Sequence, residues 1–132
     1  MITAVDSSVL WAIIKREVGH EHWLEALIRA AREGPLIISP VAFAELAPSA
    51  AGAPELVDFL ARLSICYSPI SPEAAHLAGH TFKRYRQIGG PRQYLVPDFL
   101  IAAHAQTQAN RLAAMDRGYL RQWFRDLEVL VP

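Results

Sequence analysis

Five short apolar runs recur along this chain, and segments with helical character separate them. The runs are Ile2-Thr3-Ala4-Val5, Leu36-Ile37-Ile38, Ile65-Cys66-Tyr67, Leu112-Ala113-Ala114-Met115 and a C-terminal run from Leu127 to Val131. None alternates cleanly between apolar and polar residues. Strands of this kind are covered on both faces, as in parallel sheets whose crossovers are helices. The intervening segments carry helix punctuation. A first helix is expected from about Ser8, and a second over 21–32, where Trp23, Leu24, Leu27, Ile28 and Ala31 share one face. Gly34-Pro35 ends it. Ser39 and Ser71 are good N-caps, each followed by proline at the first helical position. Their helices should run to about Pro48 and to about Gln87. Further helices are expected over 54–63, 98–109 and 119–124, and Asn110-Arg111 reads as a turn. The expected fold is α/β: one domain over 1–132, with a central, mostly parallel five-stranded sheet flanked by helices.

The chain has 132 residues and is 52% hydrophobic, enough for a sizeable core and with no apolar run near membrane length. Its start has no basic stretch and an early acid, unlike a signal peptide. Cys66 is the one cysteine, which excludes an intrachain disulfide and favours a reducing, cytoplasmic setting. Net charge is zero, but unevenly spread. Residues 1–75 carry 5 Lys+Arg and 9 Asp+Glu, whereas residues 76–132 carry 8 and 4. Lys83, Arg84, Arg86 and Arg92 form one basic group; Arg117, Arg121 and Arg125 form another at helical spacing. These groups are either solvated helix faces or a surface that follows phosphates.

Four acids stand at the edges of apolar segments or, for Glu45, inside one: Asp6, Glu45, Asp98 and Asp116. A carboxylate there is costly unless it is paired or bound to a cation. Glu25 and Asp58 have candidate partners four residues on, in Arg29 and Arg62; Glu45 has none. Asp6 and Asp116 follow apolar runs, so both fall at strand carboxyl ends, where α/β sheets place their sites. Asp98 opens a helix whose dipole favours the ionised form. One topology therefore brings all four to one sheet edge. Each also has a plainer reading: a helix cap for Asp6 or Asp98, a turn residue for Asp116, a solvated side chain for Glu45. An all-oxygen set suits a hard cation such as Mg²⁺ or Mn²⁺. The five histidines, His20, His22, His76, His80 and His104, make no H-E-x-x-H or comparable set, and His104, mid-helix, reads as structural or exposed.

Four segments in order carry a resemblance: Val5-Asp6-Ser7-Ser8, Ser39 to Leu46 with its Glu45-Leu46 pair, Asp98-Phe99-Leu100-Ile101-Ala102-Ala103-His104-Ala105, and Met115-Asp116-Arg117-Gly118. They resemble the motifs of the PIN-domain family, and within it the VapC-type toxins of toxin–antitoxin systems. The family often has Thr or Ser two residues before its last acid; here that residue is Ala114, which leaves the site one hydroxyl short. The resemblance implies an Mg²⁺- or Mn²⁺-dependent endoribonuclease. Asp6, Glu45 and Asp98 would hold the cation, with Asp116 direct or through water, and Ser8 would position a water. Lys83, Arg84, Arg86, Arg92 and Tyr94 would grip single-stranded RNA. It also implies a homodimer and a small VapB-type antitoxin, with contact surfaces around Trp11, Trp23 and the 54–63 helix, and no membrane. Two other readings stand beside it. One is a non-catalytic PIN-like module that only binds RNA or protein. The other is a receiver-type phosphoacceptor domain, which would want an acidic pair after the first strand, where this chain has Ser7-Ser8.

Overall fold

The first apolar run becomes strand β1 (Thr3–Val5), with all three residues buried. In this computed structural model, which describes residues 1–89, 94–115 and 118–132, four more strands join it. They are β2 (Leu36–Ile38), β3 (Ile65–Tyr67), β4 (Arg111–Ala113) and β5 (Glu128–Leu130), in the order β3-β2-β1-β4-β5. Every pairing is parallel, as the unalternating apolar runs require. The sheet grows from β1 outward in both directions, so the strand order reverses between β1 and β4.

Helices fill every crossover. They are α1 (Ser7–Ile14), α2 (His20–Glu33), α3 (Pro40–Leu46), α4 (Ala53–Arg62), α5 (Pro72–Gln87), α6 (Val96–Gln108) and α7 (Gly118–Trp123). A 3-10 turn, Ala47–Ser49, follows α3. The Ser39 and Ser71 hydroxyls cap α3 and α5 as expected, accepting from Ala42 N–H at 3.2 Å and Ala74 N–H at 3.1 Å. α5 and α6 pack along each other. Phe99 of α6 is fully buried there, 5.3 Å between ring centroids from Phe82 and Tyr85 and 5.6 Å from Phe124. The main core joins Leu10, Leu27, Leu36, Ile38, Leu46 and Leu112 around the sheet.

Three expectations shift. Arg111 lies in β4 rather than in a turn, opposite Thr3. A strand tolerates this buried arginine because Nε donates to Thr3 Oγ1 at 2.9 Å and an Nη donates to Glu33 Oε2 at 2.7 Å. Second, α6 begins at Val96, with Pro97 at its second position and Asp98 at its third. Third, neither Glu25–Arg29 nor Asp58–Arg62 closes to ion-pair distance; Arg111–Glu33 does, at 2.7 Å.

Gly34 ends α2 where the backbone of Met1 crosses closely. A Cβ there would lie 2.1 Å from the Met1 carbonyl oxygen. No helix among the described residues is long and apolar enough to cross a membrane.

Candidate active site

Strand order reverses between β1 and β4, and in such a sheet the carboxyl ends at the reversal are where a crevice and its site are expected. Three consecutive residues at the β1–α1 junction organise it. Asp6 ends β1 and caps α1, its Oδ2 accepting from Ser8 N–H at 3.2 Å. Its own N–H donates to Ala113 O at 2.9 Å, which ties the junction to β4. The Ser8 hydroxyl donates to Asp6 Oδ2 and accepts from Met115 N–H at 3.3 Å. Ser7 Oγ is buried and donates to Glu45 Oε1 at 2.9 Å, drawing α3 toward α1.

Asp98 enters from α6. Its Oδ2 accepts from Leu95 N–H at 2.9 Å, so it closes the first turn of its helix. Its backbone carbonyl accepts from Tyr119 Oη at 3.5 Å.

Electrostatics show that the three acids share a neighbourhood. Burial raises the Asp6 pKa above its ordinary 3.8; hydrogen bonds from Ser8 and Ser7 oppose the rise, and the Asp98 charge adds to it. Burial also raises Glu45 above 4.5, with the Ser7 bond opposing and the charges of Asp6 and Asp98 contributing. Like charges held close destabilise each other's ionised forms. The chemistry of this oxygen-only set fits a hard cation. Among the described residues, no three His, Cys, Asp or Glu side chains are gathered tightly enough to hold a metal ion by themselves. Mg²⁺ does not require that, since it keeps several waters and commonly takes one or two carboxylates.

Asp116 and Arg92, expected as site residues, lie outside the described residues, as does Arg117 of the second basic group. Lys83, Arg84 and Arg86 are exposed on the last turns of α5, and the Arg86 guanidinium lies 5.9 Å from the Phe82 ring centroid. Tyr94 is half-buried, its ring 4.5 Å from that of Tyr119 and 6.2 Å from that of Tyr85. Among the expected contact surfaces, Trp23 is buried, whereas Ile28 of α2 and Val57 of α4 are exposed. His104 is structural: it is 1% exposed, with Nε2 3.0 Å from Ser68 Oγ. The link from Ser7 to Glu45 was not expected from sequence. Ser7 stood in the quoted motif, but nothing local shows which of two adjacent serines faces α3.

The pattern of the PIN domain matches residues 3–123. Ribonuclease VapC10 of Mycobacterium tuberculosis is 33% identical over 112 residues, which is 85% of this chain and 80% of that protein. Among solved structures, VapBC2 of Rickettsia felis bound to a DNA fragment from its promoter superposes with a TM-score of 0.70 at 20% identity, covering 98% of each chain. VapBC-1 of nontypeable Haemophilus influenzae gives 0.72 at 17%, covering 98% of this chain and 97% of that one. FitAcB of Neisseria gonorrhoeae gives 0.68 at 20%, covering 100% and 98%. At these identities the structures speak to the fold alone, and they share it end to end. With the family pattern running over nearly all of the chain and a relative at one-third identity, this protein belongs to the PIN-domain family.

Proposed function

We propose that this chain is an endoribonuclease and the toxin of a type II toxin–antitoxin pair, cutting RNA phosphodiester bonds at the carboxylate crevice. The observation that carries the reading is the shared field of Asp6, Glu45 and Asp98 at the strand-order reversal. Carboxylates taken out of water and braced by Ser7 and Ser8 suit a cation better than they suit an apolar edge. The relationship to a protein named as a ribonuclease agrees with this.

Asp6, Glu45 and Asp98 would hold Mg²⁺ or Mn²⁺, with Asp116 completing the set. When bound, such an ion acidifies water and offsets charge on the phosphoryl group under attack. The remaining work falls to the chain. Ser7 fixes Glu45, Ser8 fixes Asp6 against the end of β4, and the first turn of α6 fixes Asp98. Lys83, Arg84 and Arg86, with Arg92 and Tyr94, would hold the RNA strand by phosphate contact and stacking. A VapB-type antitoxin and a homodimer, in the cytoplasm, complete the proposal, with residues 1–132 acting as one domain.

Cleavage of total RNA by the purified chain tests the enzyme. We expect cleavage with Mg²⁺ or Mn²⁺, none in excess EDTA, and none from Asp6→Asn or Asp98→Asn. Undiminished cleavage in EDTA would overturn the metal reading. Growth unaffected by expression of the chain would overturn the toxin reading.

A further inference from the structure

On the outer face of α5, away from the carboxylate crevice, His76 and His80 stand one turn apart with their rings nearly parallel. The centroids are 6.1 Å apart and the planes differ by 8°. Both side chains are exposed, at the i and i+4 positions that place two side chains over the same patch of helix. They line a concavity of about 480 Å³ together with Glu73, one turn earlier on the same helix, and Gln106 and Thr107 of α6. The pair thus stands at the rim of a concavity that also holds a carboxylate.

We propose that His76 and His80 form a two-imidazole site for a borderline divalent cation of the Zn²⁺, Ni²⁺ or Cu²⁺ class, distinct from the hard-cation crevice. Imidazole nitrogen suits these ions and suits Mg²⁺ poorly. A metal–nitrogen distance of about 2.1 Å is reached by rotating both rings inward on exposed side chains. No third His, Cys, Asp or Glu among the described residues is close enough to complete a closed cage. Water therefore fills the remaining positions. Such a water can bridge to the Glu73 carboxylate, which lines the same concavity. The bound ion links two successive turns of α5.

Zn²⁺ titration of the tag-free chain, in millimolar Mg²⁺ and in competition with a chromogenic chelator, tests the site. Wild type is expected to bind one Zn²⁺ and to melt at a higher temperature when it does. His76→Asn and His80→Asn, both exposed changes, should each weaken Zn²⁺ binding at least tenfold and lose the thermal shift. Asp6→Asn should bind Zn²⁺ as wild type does. RNA cleavage in Mg²⁺ should be the same in His76→Asn as in wild type. Unchanged Zn²⁺ affinity in both histidine variants would overturn the proposal. So would loss of Zn²⁺ binding in Asp6→Asn, which would place the ion in the carboxylate crevice.

Discussion

Asp6 holds three roles at once: it ends a strand, caps a helix and contributes a charge to the crevice. Substitution separates the last role from the other two. Asparagine caps as well as aspartate does, so Asp6→Asn keeps the turn and removes a charge that burial, and to a lesser degree the nearby Asp98, disfavours. We expect it to abolish cleavage while raising the melting temperature of the metal-free protein by roughly 2–6 °C, the shift that goes with about 1 kcal/mol in a domain of this size. A scan in EDTA checks it; an unchanged or lower melting point would mean that the crevice carries no charge strain. The pH dependence follows from the same groups. Asp6 and Glu45 have raised pKa values in the fold, so the stability they contribute is complete below their ordinary 3.8 and 4.5 and is lost as pH climbs through the raised values. His104 acts in the opposite sense. Burial lowers its pKa from 6.5, so its contribution is complete above 6.5 and is lost as pH falls toward the lowered value. Chemical denaturation below pH 6.5 should show this decline, and His104→Gln, which keeps a polar atom near Ser68 without the titration, should reduce it.

At the scale of elements, α6 is the piece that delivers Asp98, and Phe99 is what seats α6. Phe99→Ala should cost about 3–5 kcal/mol, with cleavage falling further than the loss of folded protein explains, because the first turn of α6 moves with it. Denaturant titration read beside specific activity checks this, and a loss under 1 kcal/mol would show that the ring cluster does not hold the helix. The elements themselves were largely legible in the sequence, and the physical reason is that each signal was local. Runs such as Leu36-Ile37-Ile38 need only their own side chains to mark a buried strand, and Ser39-Pro40 and Ser71-Pro72 mark their helices with their own atoms. Misreadings fell where the deciding partner was remote. Arg111 reads as a turn until Thr3 and Glu33, 108 and 78 residues away, receive its guanidinium. The candidate site follows the same division. The acids were visible because a charge beside an apolar run is a local anomaly. The bond from Ser7 to Glu45 spans 38 residues and leaves no local mark.

For the molecule as a whole, the neutral total charge hides an acidic crevice and a basic α5 terminus, and RNA should respond to both. Binding should weaken as salt rises, by about 0.7 log units per log unit of salt for each single-strand phosphate contact. Replacing Lys83, Arg84 and Arg86 together with alanine should flatten that slope by about 2 if each meets a phosphate. A slope unchanged in the triple variant would move the RNA to another face. The β1–α1 junction has a further meaning, in time rather than in space. Residues 6–8 lie at the very start of the chain, but they are fixed by Glu45, Ala113 and Met115, the last of them 107 residues from Ser8. Contacts of such separation form late, after the long loop between them has closed. During synthesis Asp6 emerges long before Ala113 and Met115, which complete its surroundings. A chain in which β4 has not yet formed therefore has no organised crevice, and the cutting activity proposed here would switch on only when β4 docks.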